Sequence, residues 1–304
     1  MKKWIILIIT VLACIVWAII EPNLLVAKNI DLYIPNWSRS LDNTKIAVIS
    51  DLHIGSRSVG LKKVEKIVYK TNAQKPDIVL FLGDFDALLI NANKITSEDI
   101  AERFKLLDAP YGVISVLGNH DFEPTGIVKN ILSKSNIKLL EDESVKISIN
   151  NNDIYFVGLK DLWFAHPNTK AAVNQVKTKD PIIVLSHNPD TFDDIPSNVS
   201  LILGGHTHGG EIKLPFLGAP FVPSNYGQRF VKGHVVEDNK HIYITSGIGT
   251  LSRLRFGNIP EIVILNLYSQ ENKQNIIQNT KPRKGFGKEF RNLCKKIVVL
   301  LLNL

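Results

Sequence analysis

Five times along this chain a short apolar run stops at a cluster of residue types that bind metals, and this repetition constrains the fold most. Residues 45–50 run into Asp51-Leu52-His53, residues 77–82 into Gly83-Asp84, and residues 112–117 into Gly118-Asn119-His120-Asp121. Residues 181–185 run into Ser186-His187-Asn188-Pro189, and residues 199–203 into Gly204-Gly205-His206-Thr207-His208-Gly209-Gly210. Short continuous apolar runs bounded by turn residues read as buried strands. The last cluster is the sharpest, because glycine pairs flank two imidazoles at alternate positions and let the backbone approach another group closely. A single buried His is commonly structural. Two in a Gly-walled turn at a strand end call for matching ligands at other strand ends, and the other four clusters supply them.

Between the strands lie stretches with helical spacing. Residues 61–75 carry apolar residues on one face and lysines on the other. Residues 97–107 start with a good N-cap residue, and 124–135 and 170–177 also read as helices. Residues 145–149 and 154–159 predict a hairpin. Further strands are expected near 211–214, 230–236, 241–245 and 261–267. The order is βαβα first and then mostly β, which two packed sheets with helices outside accommodate. In open α/β sheets the carboxyl ends of strands are where ligands bind.

The strand-end residues Asp51, His53, Asp84, Asn119, His187, His206 and His208 amount to two carboxylates, one amide and four imidazoles. Such a mixed oxygen and nitrogen set suits Mn²⁺, Fe or Zn²⁺ better than Ca²⁺ or Mg²⁺. Seven ligands exceed the need of one tetrahedral zinc. If one carboxylate bridges, they divide into two sites about 3.5–4 Å apart, the arrangement used on phosphate esters. His120 is left over beside Asn119. It could protonate a leaving group or stabilise negative charge in the transition state.

In this order, D-x-H, G-D, G-N-H-D, H and G-H-x-H, the chain resembles the calcineurin-like metallophosphoesterases over residues 45–267. The resemblance implies a four-layer α/β-β/α sandwich of two mixed sheets and a metal-dependent hydrolase of phosphoric ester or pyrophosphate bonds. It implies two divalent ions, Mn²⁺ foremost, one held by Asp51, His53, Asp84 and His208. The other would be held by Asp84, Asn119, His187 and His206, with Asp84 bridging and His120 as the catalytic histidine. Gly204–Gly210, the following Glu211-Ile212-Lys213-Leu214-Pro215, Gly247-Ile248-Gly249-Thr250 and Arg255-Phe256-Gly257 resemble the membrane-anchored bacterial branch. Some members of that branch hydrolyse UDP-2,3-diacylglucosamine in lipid A synthesis. Two departures stand out. The stretch 251–254 lacks a proline expected before the Arg, and Gly83-Asp84-Phe85-Asp86 lacks the Asp-Arg-Gly of protein phosphatases. The second argues against phosphoprotein substrates. Arg57, Arg229 and Arg255 are expected as substrate contacts. The alternatives are a general phosphomonoesterase, a cyclic-nucleotide phosphodiesterase, or a metal-binding scaffold without catalysis; a scaffold would have no need of His120.

Met1-Lys2-Lys3 precedes an apolar run from Trp4 to Ile20, about 26 Å long as a helix and just short of a ~30 Å hydrocarbon core. Trp4 and Trp17 near its ends suit interfacial anchoring. The run exceeds a usual signal-peptide core, and Glu21-Pro22-Asn23-Leu24 offers no small-x-small cleavage site. Val11-Leu12-Ala13-Cys14 looks like a lipoprotein box but lies mid-run. Residues 1–20 are therefore expected as a single-pass anchor in the bacterial inner membrane, 21–44 as a tether with a possible first strand at 29–34, and 45–270 as the catalytic domain. Residues 271–304 are expected as a basic amphipathic tail suited to an anionic membrane surface. The alternative for that tail is a helix docked on the domain with a solvated basic face. The 304 residues carry a formal net charge of +7, which favours anionic partners. No groove or stacking motif points to nucleic acid, and no obligate protein partner is evident. Cys14 and Cys294 lie in the terminal segments and form no disulfide framework or cysteine metal site. Lys2 and Lys3 favour an extracytoplasmic catalytic domain, whereas a UDP-linked substrate and the basic tail favour a cytoplasmic one.

Overall fold

The computed structural model describes residues 2–86, 95–122, 125–250 and 252–271. In chain order its elements are α1 (Lys2–Ile20), β1 (Val26–Ile34), β2 (Thr44–Ile49), α2 (Leu61–Asn72), β3 (Ile78–Phe81), α3 (Ser97–Phe104), β4 (Val113–Ser115), α4 (Thr125–Lys134) and β5 (Lys138–Leu139). There follow β6 (Glu143–Ile149), β7 (Asn152–Gly158), α5 (Thr169–Asn174), β8 (Ile182–Ser186), β9 (Leu201–Gly204), β10 (Gly233–Glu237), β11 (Lys240–Ile244) and β12 (Glu261–Ser269). Two six-stranded sheets result, ordered β1-β12-β2-β3-β4-β5 and β10-β11-β9-β8-β7-β6.

The buried strands are apolar on both faces because both faces are covered. Successive side chains point to opposite faces, so each strand feeds two layers. Ile46 and Val48 of β2 and Ile78 and Leu80 of β3 enter the layer between the sheets, where they meet Phe156, Ile183 and Leu203. Ala47, Ile49, Val79 and Phe81 face the other way and pack against α2, α3 and α4 through Val64, Ile67, Phe104 and Ile131. A third layer, with Val184, Ile202, Val173 and Phe192, covers the outer face of the second sheet. Three apolar layers between helix, sheet, sheet and helix make the four-layer sandwich. α3 is capped by Thr96, whose side chain accepts from Asp99 N while the Asp99 carboxylate accepts from Thr96 N.

Register decides where the ligands emerge. β2, β3 and β4 run parallel with Ile49, Phe81 and Ser115 level, and β8 and β9 run parallel with Ser186 level with Gly204. The turns after these five strands therefore open on one edge of the sandwich.

The structure corrects two expectations. Residues 21–44, read as a tether with a possible first strand at 29–34, carry β1, a longer edge strand paired parallel with β12 from Val26–Glu261 to Ile34–Ser269. Leu32, Ile34, Trp37 and Leu41 are buried there, so the stretch adds to the central layer instead of leading up to it. Residues 211–214, expected as a strand, make only isolated bridges, Ile212 to Phe256 and Leu214 to Gly218. Gly210 on one side and Pro215 on the other leave too little chain for a ladder.

α1 is long and apolar enough to cross a membrane by length and composition. None of its residues is buried. Of the basic tail expected over residues 271–304, residues 272–304 lie outside the described residues.

Candidate metal centre

All seven strand-end residues meet at that edge, and all are buried. Asp51, His53, Asp84 and His208 form one group of converging donor atoms, and Asp84, His187 and His206 form a second. Asp84 belongs to both. Its Oδ2 lies 3.6 Å from His53 Nε2 and 3.2 Å from His187 Nε2. Its Oδ1 accepts the backbone N–H of His120 at 2.9 Å. In the first group His53 Nε2 and His208 Nε2 are 3.2 Å apart, and His208 Nε2 is 3.6 Å from Asp51 Oδ1. In the second, His187 Nε2 lies 3.1 Å from Asn119 Oδ1 and 3.2 Å from His206 Nδ1.

The backbone is bent to bring these atoms together. Asp51, His53, Asp84, His206 and His208 all have φ between 48° and 66°, the left-handed region that non-glycine residues rarely occupy. Such strain persists only where the surroundings over-determine it. The neighbouring chain must also come very close. A Cβ on Gly118 would stand 2.2 Å from Asp84 Oδ1, and one on Gly205 would stand 2.1 Å from Ser50 Oγ.

The chemistry of the donors fits divalent cations. His187 donates its Nδ1–H to the Leu82 carbonyl at 2.7 Å, which leaves Nε2 as a lone pair aimed into the centre. That lone pair faces an Asp84 carboxylate oxygen and the Asn119 amide oxygen. Several acceptors pointing at one spot without a donor need a cation or a proton there. The titration behaviour agrees. Burial pushes His53 down to about 4, and burial together with the neighbouring His187 pushes His206 down to about 3. Burial likewise holds His208 well below its ordinary value. These imidazoles are neutral at pH 7, the form that binds metal. Burial raises the Asp51 carboxyl to about 6. Asp84 goes the other way: burial opposes its charge, but His187 and His53 hold it well below the usual carboxylate range. Burial also opposes a charge on His187, yet the Asp84 carboxylate outweighs this and pushes it up to about 10.

The centre forms the floor of a cavity of about 630 Å³. Asp84, Asn119, His120, His206 and His208 line the bottom; Trp163, Ile212, Pro220, Phe221 and Pro223 form the walls. The His120 ring is half-buried and sits edge-on to the His53 ring, 5.0 Å between centroids.

None of the three expected arginine contacts lines this cavity. Arg57 is exposed on the turn between β2 and α2. Arg229 pairs with Glu237 and lies over the Phe230 ring at 4.6 Å. Arg255 is fully buried and donates to the carbonyls of Ser246 (2.8 Å), Asn258 (3.2 Å) and Gly249. That clamp braces residues 246–249 against Asp51, which a Cβ on Gly247 would touch at 2.6 Å. Arg255, expected as an anion contact, is bonded to carbonyls instead.

Two residues of consequence were missed. Asp121, buried, accepts from the backbone N–H groups of Asp84 (2.8 Å), Phe85 (2.8 Å) and Gly118 (2.9 Å), tying the second and third ligand turns together. Its place in Gly118-Asn119-His120-Asp121 was the available signal. Trp163 sets its ring edge-on to His206 at 4.4 Å, and its loop has no periodicity that would have marked it.

Similar sequences occur among known proteins. A model of the calcineurin-like phosphoesterase family matches residues 44–210. Phosphodiesterase YaeI of Escherichia coli (strain K12) is 33% identical over 231 residues, which cover 73% of this chain and 82% of that protein. The uncharacterized metallophosphoesterase YkuE of Bacillus subtilis (strain 168) is 30% identical over 236 residues, 75% of this chain and 80% of that one. The UDP-2,3-diacylglucosamine pyrophosphatase LpxG of Chlamydia muridarum is 27% identical over 311 residues, 82% and 92% of the two chains. With its buried Asp and His centre intact, the chain belongs to the calcineurin-like phosphoesterases and is a hydrolase of phosphoester bonds.

Proposed function

We propose that the protein is a membrane-anchored, dinuclear phosphodiesterase or pyrophosphatase acting on an amphiphilic, lipid-linked substrate such as UDP-2,3-diacylglucosamine. The observation that carries this reading is the pairing of a buried, charged floor with apolar walls in one cavity of about 630 Å³. A small phosphomonoester has no use for walls made by Trp163, Ile212, Pro220 and Phe221. A substrate with a phosphate between a polar group and acyl chains uses both. The pyrophosphatase named among the relatives acts on such a molecule.

Asp51, His53, Asp84 and His208 would hold one divalent ion, and Asp84, Asn119, His187 and His206 the other. Mn²⁺ suits this donor set foremost, with Fe or Zn²⁺ as alternatives. Such ions, when bound, polarise phosphoryl oxygens and activate the attacking water. The chain's own residues do the rest. Asp84 Oδ1 fixes the backbone of His120, so the imidazole faces the cavity above the floor. From there His120 donates a proton to the leaving oxygen as the P–O bond breaks. The apolar walls keep bulk water from the floor, which strengthens each electrostatic contact there. α1 anchors the enzyme in the bacterial inner membrane.

The experiment is a substrate panel with full-length protein in detergent: UDP-2,3-diacylglucosamine, bis-p-nitrophenyl phosphate, p-nitrophenyl phosphate and cyclic AMP. The diester and the nucleotide lipid should turn over, lose turnover on chelation and regain it with Mn²⁺. Preference for the monoester or the cyclic nucleotide would replace the substrate reading. Full turnover in metal-free protein would remove the dinuclear one.

A further inference from the structure

The wall of the cavity has a second face that the reaction does not use. Leu214 and Gly218 exchange backbone hydrogen bonds, Leu214 N to Gly218 O at 2.8 Å and Gly218 N to Leu214 O at 3.0 Å. They close a tight hairpin over Pro215-Phe216-Leu217. Phe216 at its tip has φ of 68° and is fully exposed; Leu217 is 72% and Phe221 74% exposed. Scattered exposed apolar residues are ordinary on a protein surface. Two large ones on one hairpin, held in a strained turn with a third, Phe221, three residues beyond it, are not. The tip is not loose. Gln228 braces its base, donating Nε2–H to Leu217 O at 3.3 Å and accepting from Ala219 N at 3.3 Å. From Ile212 to Pro223 the only charged residue is Lys213.

What lies beside the hairpin identifies its partner. The last turn of α1 is joined to the body: Arg255 N donates to Ala18 O at 3.1 Å, and the Glu21 carboxylate accepts from Gly257 N at 3.0 Å and from Asn258 N. The same short segment carries the hairpin, since Lys213 N donates to Phe256 O at 2.7 Å and Phe256 N to Glu211 O at 3.1 Å. The hairpin thus starts two backbone hydrogen bonds away from Ala18. Trp17, half-exposed one residue earlier, is the side chain type that settles at the headgroup level. Lys63, at the start of α2, donates to Pro22 O and Leu24 O and puts a cation at the same level. An apolar tip with a lysine at its base, rigidly placed beside the end of a membrane-spanning helix, has the composition of an interfacial element.

We infer that the Leu214–Gly218 hairpin dips into the bilayer that α1 crosses, so that Phe216 and Leu217 lie among the acyl chains. Phe221 and Pro220 then form a wall shared by bilayer and cavity, and the cavity opens at the membrane interface. This deepens the reading of an amphiphilic substrate and rests on it for one consequence: acyl chains pass along Phe221 to the floor without entering bulk water.

The test uses the full chain carrying Cys14→Ser and Cys294→Ser in vesicles of phosphatidylethanolamine and phosphatidylglycerol. An environment-sensitive fluorophore is attached at Phe216→Cys or, as control, at Leu106→Cys, an exposed position after α3. Lipids spin-labelled high in the acyl chain should quench the label at 216 several-fold more than the label at 106. Equal quenching at the two sites overturns the inference. So does a label at 216 that is shielded from aqueous iodide but untouched by the spin-labelled lipid, because a protein partner then covers the tip. In a second arm, Phe216→Glu with Leu217→Glu should raise KM for vesicle-borne UDP-2,3-diacylglucosamine on the order of tenfold while leaving bis-p-nitrophenyl phosphate turnover unchanged. If that lipid is not a substrate at all yet the label at 216 is quenched, the substrate reading falls and the hairpin inference stands.

Discussion

The floor and the wall of the cavity are built on opposite principles. The floor is over-determined. Asp51, His53, Asp84, His206 and His208 sit in left-handed backbone conformations, and each is fixed from behind by strands, by glycines a Cβ would not fit, or by a buried arginine. The wall is made by the segments flanking a hairpin and by the Trp163 loop, with apolar side chains at the surface. Where donor atoms meet within 3.1–3.6 Å, the fold leaves no freedom; at the wall it spends few contacts. Substitutions in the two regions should therefore fail differently. Floor changes should lower kcat or metal content. Wall changes should alter which substrates are taken up.

The largest expected effect tests the shared ligand. Asp84→Asn keeps the shape and removes the charge that both donor groups depend on. Turnover should fall below detection and bound metal should drop, while the melting temperature stays close to that of the parent protein measured without metal. Near-normal turnover with this variant would mean that the two groups do not act as one centre. Next, His120→Ala should cost on the order of 10²–10⁴ in kcat with metal content unchanged. Esters with very acidic leaving groups should suffer least, because they need no proton. Equal losses across leaving groups would assign His120 to charge stabilisation. A smaller effect is expected at Asp121, which touches no donor atom but holds the turns of two. Asp121→Asn keeps its size and leaves two backbone N–H groups facing an NH₂ group, because each carboxylate oxygen accepts from two of them. It should weaken metal binding about 10–100-fold, the cost common for residues that orient ligands. This would be read by titration with Mn²⁺. An unchanged affinity would show that the strand ends alone hold the floor.

The floor was legible in the sequence for the reason that makes it rigid. Metal chemistry restricts residue types to Asp, His and Asn, parallel strands restrict their place to strand ends, and close approach demands glycine. All three leave marks that survive in a single sequence. The layers followed from short apolar runs, and β2, β3, β8 and β9 fall within two residues of their expected bounds. Illegible were the features decided by partners distant in sequence. Nothing in 21–44 announced that β1 pairs with β12 more than 200 residues later. Arg255 was read by its charge, yet its role is set by the carbonyls of Ser246, Gly249 and Asn258. The hairpin around Phe216 has neither helical nor strand period, so its exposure became visible only once its neighbours were placed.

Trp163 is where the two regions touch, and it carries the smallest predicted effect. Its indole is half-exposed to the cavity, and its edge meets the His206 ring at 4.4 Å and an interplanar angle of 89°. The loop is held by Asp161, which accepts from Trp163 N at 2.9 Å and Phe164 N at 3.0 Å, and by Phe164 stacked on Phe122 at 4.8 Å. Removing the indole should leave that loop in place. If the ring steadies His206, Trp163→Ala loses one edge-to-face pair, worth about 0.5–1.5 kcal/mol. That corresponds to roughly a two- to tenfold weaker affinity for one of two ions. Binding isotherms for Mn²⁺ should then separate into one unchanged and one weakened step. If the ring serves the wall alone, both metal steps stay as they were, and KM rises for acylated substrates but not for bis-p-nitrophenyl phosphate. The first outcome extends the over-determined floor upward by one residue. The second draws the boundary between the regions at the His206 ring, with everything above it given to substrate selection.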